Sequence, residues 1–380
     1  MPVSDRARAI LATSHDVWTS AAVVAAGRVV GGTDVRPTLH LVSGAVDVDR
    51  SASHTRSFRA TVVDESGAWL PGALGEQGKM LDPLYRPEFR LTRGIAHDGY
   101  REGWQLGRFV IEGSKISETT EGVVTAELSG RAQSALLDDP LDAPYTVNRA
   151  TSDEAIKALL AYACRGRFPI EFAFVTTTYE VPDMMLDVGA SPWETARKWA
   201  SDAGLELYQS AGGPFVLRKV PDPLNDPVVW SYDEQRGSMQ LAAGASRDVS
   251  SDKGYNGVVL TASGPWLIVP LRAEAWDTDP NSPTYYLGPF GKKAFSYDDA
   301  TVTSQSQCDE AAAAKLRNVL GVLEEVHVDA LVNPAHEEGD VIEVVNTKVG
   351  VADRAVLESF TISLSATDSM PISVRRQRRR

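Results

Sequence analysis

The chain has 380 residues, 43% of them hydrophobic, enough for one large core or several smaller ones and, on length alone, two or three domains. Its formal net charge of −13 repels phosphates at close range and argues against a DNA-binding domain. No stretch approaches the ~20 apolar residues of a membrane helix. The start, Met1-Pro2-Val3-Ser4-Asp5-Arg6, lacks the apolar core of a secretion signal, so synthesis in the cytoplasm is expected.

In chain order, residues 1–14 are expected to form a short arm or helix, and residues 15–149 a first β-block. Within that block Val42, Val46 and Val48 fall on one side of a two-residue period, with Asp47 and Asp49 on the other, as in a half-buried strand. Residues 57–63 repeat the pattern with Phe58, Ala60 and Val62 together, and Asp64-Glu65-Ser66-Gly67 then supplies a turn. Residues 104–112 and 122–128 make a further strand pair, and His97-Asp98-Gly99 is a turn. The block is predicted to be an antiparallel barrel or sandwich.

Residues 150–220 change character. Thr151 and Glu154 have capping-box spacing, and Ile156, Leu159, Leu160 and Ala163 follow at helical spacing. A second helix start, Ser191-Pro192-Trp193-Glu194, is plainer. Serine caps, proline takes the first helical position where its missing N–H costs nothing, and glutamate is placed to close the box. Trp193, Ala196, Ala200 and Ala203 make its buried stripe, and Gly204 ends it. Strands at 205–209 and 215–220, around Gly212-Gly213, complete a small α+β unit.

Pro221, Pro223 and Pro227 stiffen the connector into a second β-rich block, 221–374. Strands are expected there at 257–262, 266–269, 326–332, 341–345 and 356–364. One helix is expected as well, with Ser304 and Gln307 as box residues and Cys308, Ala312, Leu316 and Val319 on one face. The ending, 375–380, carries five arginines and reads as a solvated basic tail; without them the chain stands at −18.

Cys164 and Cys308 are far apart, belong to no C-x-x-C pair and sit among apolar neighbours, the pattern of two buried free thiols. None of His15, His40, His54, His97, His327 and His336 forms an H-x-x-x-H pair. His327, His336 and Asp340 are the best metal set that can be assembled, and their loose spacing argues against it. No nucleophile elbow, phosphate loop or dinucleotide fingerprint occurs in a suitable context, so no catalytic, cofactor-binding or metal residue is assigned. Glu324-Glu325 and Glu337-Glu338 are acid–base candidates by type alone, and on so acidic a chain they read as solvated faces. The stretch with the best binding claim is aromatic: Trp266, Trp276, Tyr285, Tyr286 and Phe290, suited to a subunit interface or a carbohydrate surface.

Several phrases carry a resemblance. Ser191-Pro192-Trp193-Glu194-Thr195-Ala196-Arg197-Lys198-Trp199-Ala200, followed by Phe215-Val216-Leu217-Arg218-Lys219-Val220-Pro221, resembles a segment of phage tail hub proteins. Ser43-Gly44-Ala45-Val46-Asp47, Arg56-Ser57-Phe58-Arg59-Ala60 and Leu106-Gly107-Arg108-Phe109-Val110 are similar to minor tail proteins of actinobacterial long-tailed phages. Pro334-Ala335-His336-Glu337-Glu338-Gly339-Asp340 looks like the Pro-x(4)-Gly-Asp hub signature, and Ser369-Met370-Pro371-Ile372-Ser373 fits the end of that domain.

The resemblance implies a mainly β fold, with two tube-like antiparallel β-barrel domains flanking and joined to the small α+β domain. It implies a homotrimeric ring in which two such domains per subunit match a sixfold tail tube. The implied role is a structural, non-enzymatic hub at the virion tail tip. Its partners would be further copies of itself, the tail tube or distal adaptor ring, the distal tip or fibre proteins, and the tape-measure protein. DNA would pass through the lumen without specific binding, and no cofactor is implied. A receptor- or carbohydrate-binding tail module is the rival reading, and a cell-wall hydrolase the third.

Overall fold

The computed structural model describes residues 3–376 apart from 14, 26–27, 34–38, 64–68, 70–78, 119, 121, 235–240, 250–253, 264–266, 268, 300–301, 303 and 321–323. The fold is mainly β, built on a thirteen-stranded sheet to which both β-blocks contribute. First-block strands run in the spatial order His40–Asp49, Arg56–Val63, Val124–Ala132, Tyr100–Glu118, Glu88–His97, Asp16–Ala25, Arg28–Gly32. Second-block strands continue the sheet on the other side of His40–Asp49, in the order Val351–Ser363, Met370–Arg376, Glu324–Ala330, Leu241–Val249. Strand Val341–Asn346 branches from Val351–Ser363, and it pairs in parallel with Trp230–Asp233.

The two blocks meet where Val48 faces Phe360 and Val46 faces Ile362 across an antiparallel ladder. All four are buried in a core drawn from both blocks, which also takes in Phe58, Phe89, Phe109, Trp104 and Tyr232. Burying one such side chain contributes about 1.5–3 kcal/mol, so this seam is apolar stabilisation and not only ladder hydrogen bonding. Helix α1 (Asp5–Leu11), capped by Ser4, buries Ala7, Ile10 and Leu11 in the same core. Arg8 lies over the Trp230 ring of the second block.

Strand alternation departs from the sequence reading at Val42. Val46 and Val48 are buried, but Val42 is 61% exposed. The ladder pairs Leu41 with Val62 and Ser43 with Thr61, leaving Val42 as an extra residue in a bulge. One inserted residue turns everything before it to the opposite face. The hairpin at Asp98-Gly99 is the expected turn: both residues have positive φ, the two-residue type I′ geometry.

The middle unit has its own core. Helix α2 (Ser152–Cys164) buries Ile156, Leu159, Leu160 and Ala163 as its period predicts, although the Thr151 side chain makes no cap bond. Helix α3 (Pro192–Asp202) starts as read, with Ser191 accepting from Glu194 N at 3.2 Å. Glu194 turns its carboxylate to Ser53 of the first block. Gly204 follows at φ 70°, where a side chain would be strained. The helices lie on the sheet Phe172–Phe174, Phe215–Lys219, Leu205–Gln209.

A further small unit interrupts the second block. Strands Leu271–Trp276, Gly257–Ala262 and Ala294–Asp298 form one sheet, and helix α4 (Gln305–Val319) covers it with Cys308, Ala312 and Leu316. Its Ser304 cap is as expected. The strand expected at 266–269 is instead Leu271–Trp276, directly after Pro270, which has no N–H to give a ladder. Leu267 and Val269 lie in no strand, and Trp266 and Ile268 fall outside the described residues. The turn expected at Asp64-Glu65-Ser66-Gly67 also falls outside them. Both cysteines are buried and free. At the C-terminal end, strand Met370–Arg376 takes Arg375 and Arg376 into the ladder opposite Glu325 and Glu324, so the solvated tail read from 375 starts too early. Residues 377–380 are outside the described residues.

Candidate functional site: a polar sheet face and the charged junction behind it

Period-two alternation gives the large sheet one apolar and one polar face. Asp47 and Asp49 stand opposite Thr361 and Ser359, and Ser359 stands opposite Ser373. The row continues through His327 to Ser246, with Asp329 and Asp248 beside it. On the first-block side, Ser57, Arg59 and Thr61 meet Arg131, Ser129 and Glu127, and Gly113 and Lys115 follow. The surface is made of small hydroxyls and carboxylates. Three of its cations are paired in place: Arg59 on Asp47 at 3.0 Å, Lys115 on Glu127 at 3.3 Å, and Arg131 on Glu112 at 2.7 Å.

The three units lock through charge, with Arg56 behind this face and Glu358 and Arg375 on its own side of the sheet. Arg56 is 1% exposed and shares the apolar side of its strand with Phe58. Its Nε and Nη2 donate to the two Glu338 oxygens at 2.9 and 2.8 Å, its Nη2 also to Glu337 at 2.7 Å, and its Nη1 to Leu106 O at 3.0 Å. Thr55 donates to Glu338 at 2.6 Å. Arg50 bridges Glu206 of the middle unit and Glu358 of the second block, each at 2.7 Å. Arg218 joins Glu206 at 2.7 Å and donates to the Glu338 carbonyl.

The electrostatics follow from burial and pairing. Burial raises the Glu337 carboxyl above the ordinary range. The same burial acts on Glu338, but the Arg56 guanidinium against both of its oxygens outweighs it and holds that carboxyl low. His336 is buried between Asp340, at 3.0 Å from Nδ1, and the Tyr232 hydroxyl, at 2.8 Å from Nε2. Gly339, at φ 68°, supplies the turn that puts Glu338 and Asp340 on either side of this knot.

The reading of these carboxylates as solvated faces is therefore corrected at Glu337, Glu338 and Glu324. Glu337-Glu338 is not a solvated face, because two arginines from other units need its acceptors; Glu324 is likewise fully buried, paired with Arg247 at 2.8 Å. His336 and Asp340 do come together, but His327 is on the polar face beside Asp248, across the sheet from them. Among the described residues no group of three or more His, Cys, Asp or Glu could hold a metal ion, and no helix is long and apolar enough to cross a membrane. Arg50, Arg56, Glu206 and Arg218 were missed by sequence reasoning. Their partners are up to 308 residues away, and no local pattern links them.

Of the aromatic candidates, Trp276, Tyr285 and Tyr286 cluster, with Tyr285 and Tyr286 edge to face at 5.3 Å and Trp276 at 6.5 Å from Tyr286. Lys292 Nζ lies over both the Trp276 and Tyr286 rings, at 4.8 and 5.3 Å. Phe290 is apart from the three and carries Lys293. Lys292 thus covers one face of the Trp276 ring and one face of the Tyr286 ring.

No family profile and no curated protein matches the chain. Solved structures do share its fold along nearly the whole length. A tail protein from Neisseria meningitidis is 14% identical with a TM-score of 0.63, over 95% of this chain and 96% of that one. The 43 kDa tail protein of prophage MuSo2 from Shewanella oneidensis is 16% identical with a TM-score of 0.60, over 94% and 98%. Prophage tail protein gp18 from Listeria monocytogenes is 10% identical with a TM-score of 0.56, over 94% of each.

Proposed function

We propose that the chain is a structural subunit of a bacteriophage tail tip, three copies of which form a hub ring around a channel. The observation that carries this reading is the continuous two-block sheet with its polar face of hydroxyls, carboxylates and paired cations, in a chain that has the fold of phage tail proteins along nearly its whole length. A surface that lets a polyanion slide must not hold phosphates, and Ser, Thr and Asp side chains with paired arginines do not. Residues 15–149 and 221–374 would supply the two similar β-domains that let three identical chains meet a sixfold tube. The ring would join the tail tube or its adaptor to the distal tip or fibre proteins. Tape-measure protein and then DNA would pass through its lumen.

The non-enzymatic part of the proposal is supported by the tail-protein fold and by the state of the carboxylates. Glu337 and Glu338 are both engaged by the buried Arg56 guanidinium, so their oxygens are committed to an internal ion pair. A reconstruction of the intact tail tip tests the reading. Three copies are expected, with Asp47, Ser359 and His327 on the channel wall. A single copy on the tail exterior, or a wall dominated by Lys and Arg, would overturn it.

A further inference from the structure

Residues 277–293 contain neither helix nor strand, yet they are held tightly. The Asn256 side chain, fully buried, donates to the carbonyls of Thr284 at 2.8 Å and Gly291 at 2.6 Å, and accepts from Lys293 N at 2.8 Å. Asp277, also buried, accepts from the Thr284 hydroxyl at 2.6 Å, and Tyr286 N closes on Asp277 O at 3.1 Å. Long loops without secondary structure are uncommon, and ordered ones are usually functional, binding loops among them. This one displays Leu287, 64% exposed, beside Tyr286 and the exposed Lys292. The ordering cost of an interface is already met in the free chain, which favours binding.

A second surface answers it. On the middle unit, strand Met184–Leu186 buries Leu186 but leaves Met185 60% exposed, and Val188 after it is 59% exposed. Asp183 and Asp187 flank them, both exposed. The first patch sets the Lys292 ammonium beside aromatic rings, and the second is thioether, aliphatic and anionic. Sulfur–aromatic contact and opposite charge make them complementary. Copies that each carry −13 repel one another, so a contact between them needs a local cation against a local anion.

We propose that loop 277–293 of one copy docks head to tail onto segment 183–188 of the next, with Leu287 and Tyr286 against Met185 and Val188 and Lys292 against Asp187. This rests on the ring reading and names one contact within it. Two different patches on one chain give a heterologous contact, which repeats around a closed ring.

The test is the assembly of the full-length chain, followed by light scattering over a dilution series, with melting temperature as the folding control. Leu287→Asp and Lys292→Glu are each expected to weaken assembly about tenfold or more while leaving the melt of the dissociated chain unchanged. Asp187→Lys should weaken it similarly, and Lys292→Glu with Asp187→Lys should restore it. If the unaltered chain assembles and the single variants assemble equally well, this contact is wrong and the ring stands. If the swap fails to restore what the singles lose, the pairing of Lys292 with Asp187 is wrong. Variants that form rings but no longer join the rest of the tail would show that another tail protein occupies the loop, which also overturns the proposal. A chain that stays monomeric throughout overturns both the contact and the ring.

Discussion

Arg56 loses its water on folding, and carboxylate and carbonyl oxygens from the second block and from Leu106 replace it. Removing one partner of such a pair leaves a buried charge uncompensated, at a cost of about 3–5 kcal/mol, whereas replacing both with apolar groups costs far less. Arg56→Ala is therefore expected to lower the denaturation midpoint severely, and Arg56→Met with Glu338→Leu to recover much of the loss. Equal melts for the single and double variants would show that the pair is not what fixes the junction. Asp202 gives a pH test at the same scale. It ends α3, where the helix dipole already disfavours a negative charge. Burial first, and then Asp299 (Lys198 bridges the two), push its carboxyl up to about 7. A folded value above the unfolded one gives stability that is complete below the ordinary aspartate range and is lost as pH rises through about 7. Asp202→Asn should remove that part of the decline in melting temperature between pH 5 and 8. An unchanged slope in the variant would refute it.

Helix α3 was legible because its signals are local: a cap, a proline and a glycine within one segment, each acting on its own backbone. What the sequence does not contain is the helix's destination. Trp193 donates to Ser53 O at 2.9 Å, stacks on His54 at 5.8 Å and meets Phe215 edge-on at 5.8 Å, so one side chain pins the middle unit to the first block. Trp193→Ala is expected to cost about 3–5 kcal/mol, read as a fall in the denaturant midpoint and loss of soluble protein. A variant that keeps its midpoint would remove α3 from the core. Strand His40–Asp49 shows the opposite limit. Its alternation predicts Val42 inside, and only the pairing partner reveals the bulge that turns it out. Val42→Thr should then change stability by no more than about 0.5 kcal/mol, as at other exposed sites, while Val46→Ala should cost several times that. Similar losses at both positions would place Val42 in the core after all. The aromatic loop was legible by composition, but its rigidity was not, because Asn256 and Asp277 look like ordinary loop residues until their partners are known.

At the scale of the molecule, joining two β-blocks into one sheet decides which side chains share a surface. Val48 and Phe360 fix the register on the apolar side, and that register alone places Asp47 against Thr361 and Ser359 against Ser373 on the other. Neither block's sequence reveals the joint surface, since the strands that meet are more than 300 residues apart. If that surface is a channel wall, its chemistry is set by what it must not do. A fixed, unpaired cation would hold a phosphate at each encounter, and every added contact would steepen the salt dependence of passage. Ser246 and Ser359 point to this face from strands separated by two others, so charges placed there would not disturb each other's ladder. Ser246→Lys with Ser359→Lys is expected to leave particle yield unchanged but to lower DNA delivery per adsorbed particle. The defect should shrink as salt is raised, because screening shortens the reach of each new charge. Ser246→Asp with Ser359→Asp is the control, and it should deliver DNA as the unaltered particle does. If lysine and aspartate at these positions act alike, the face does not meet DNA, and the sheet's polar side must be explained by water or by another protein.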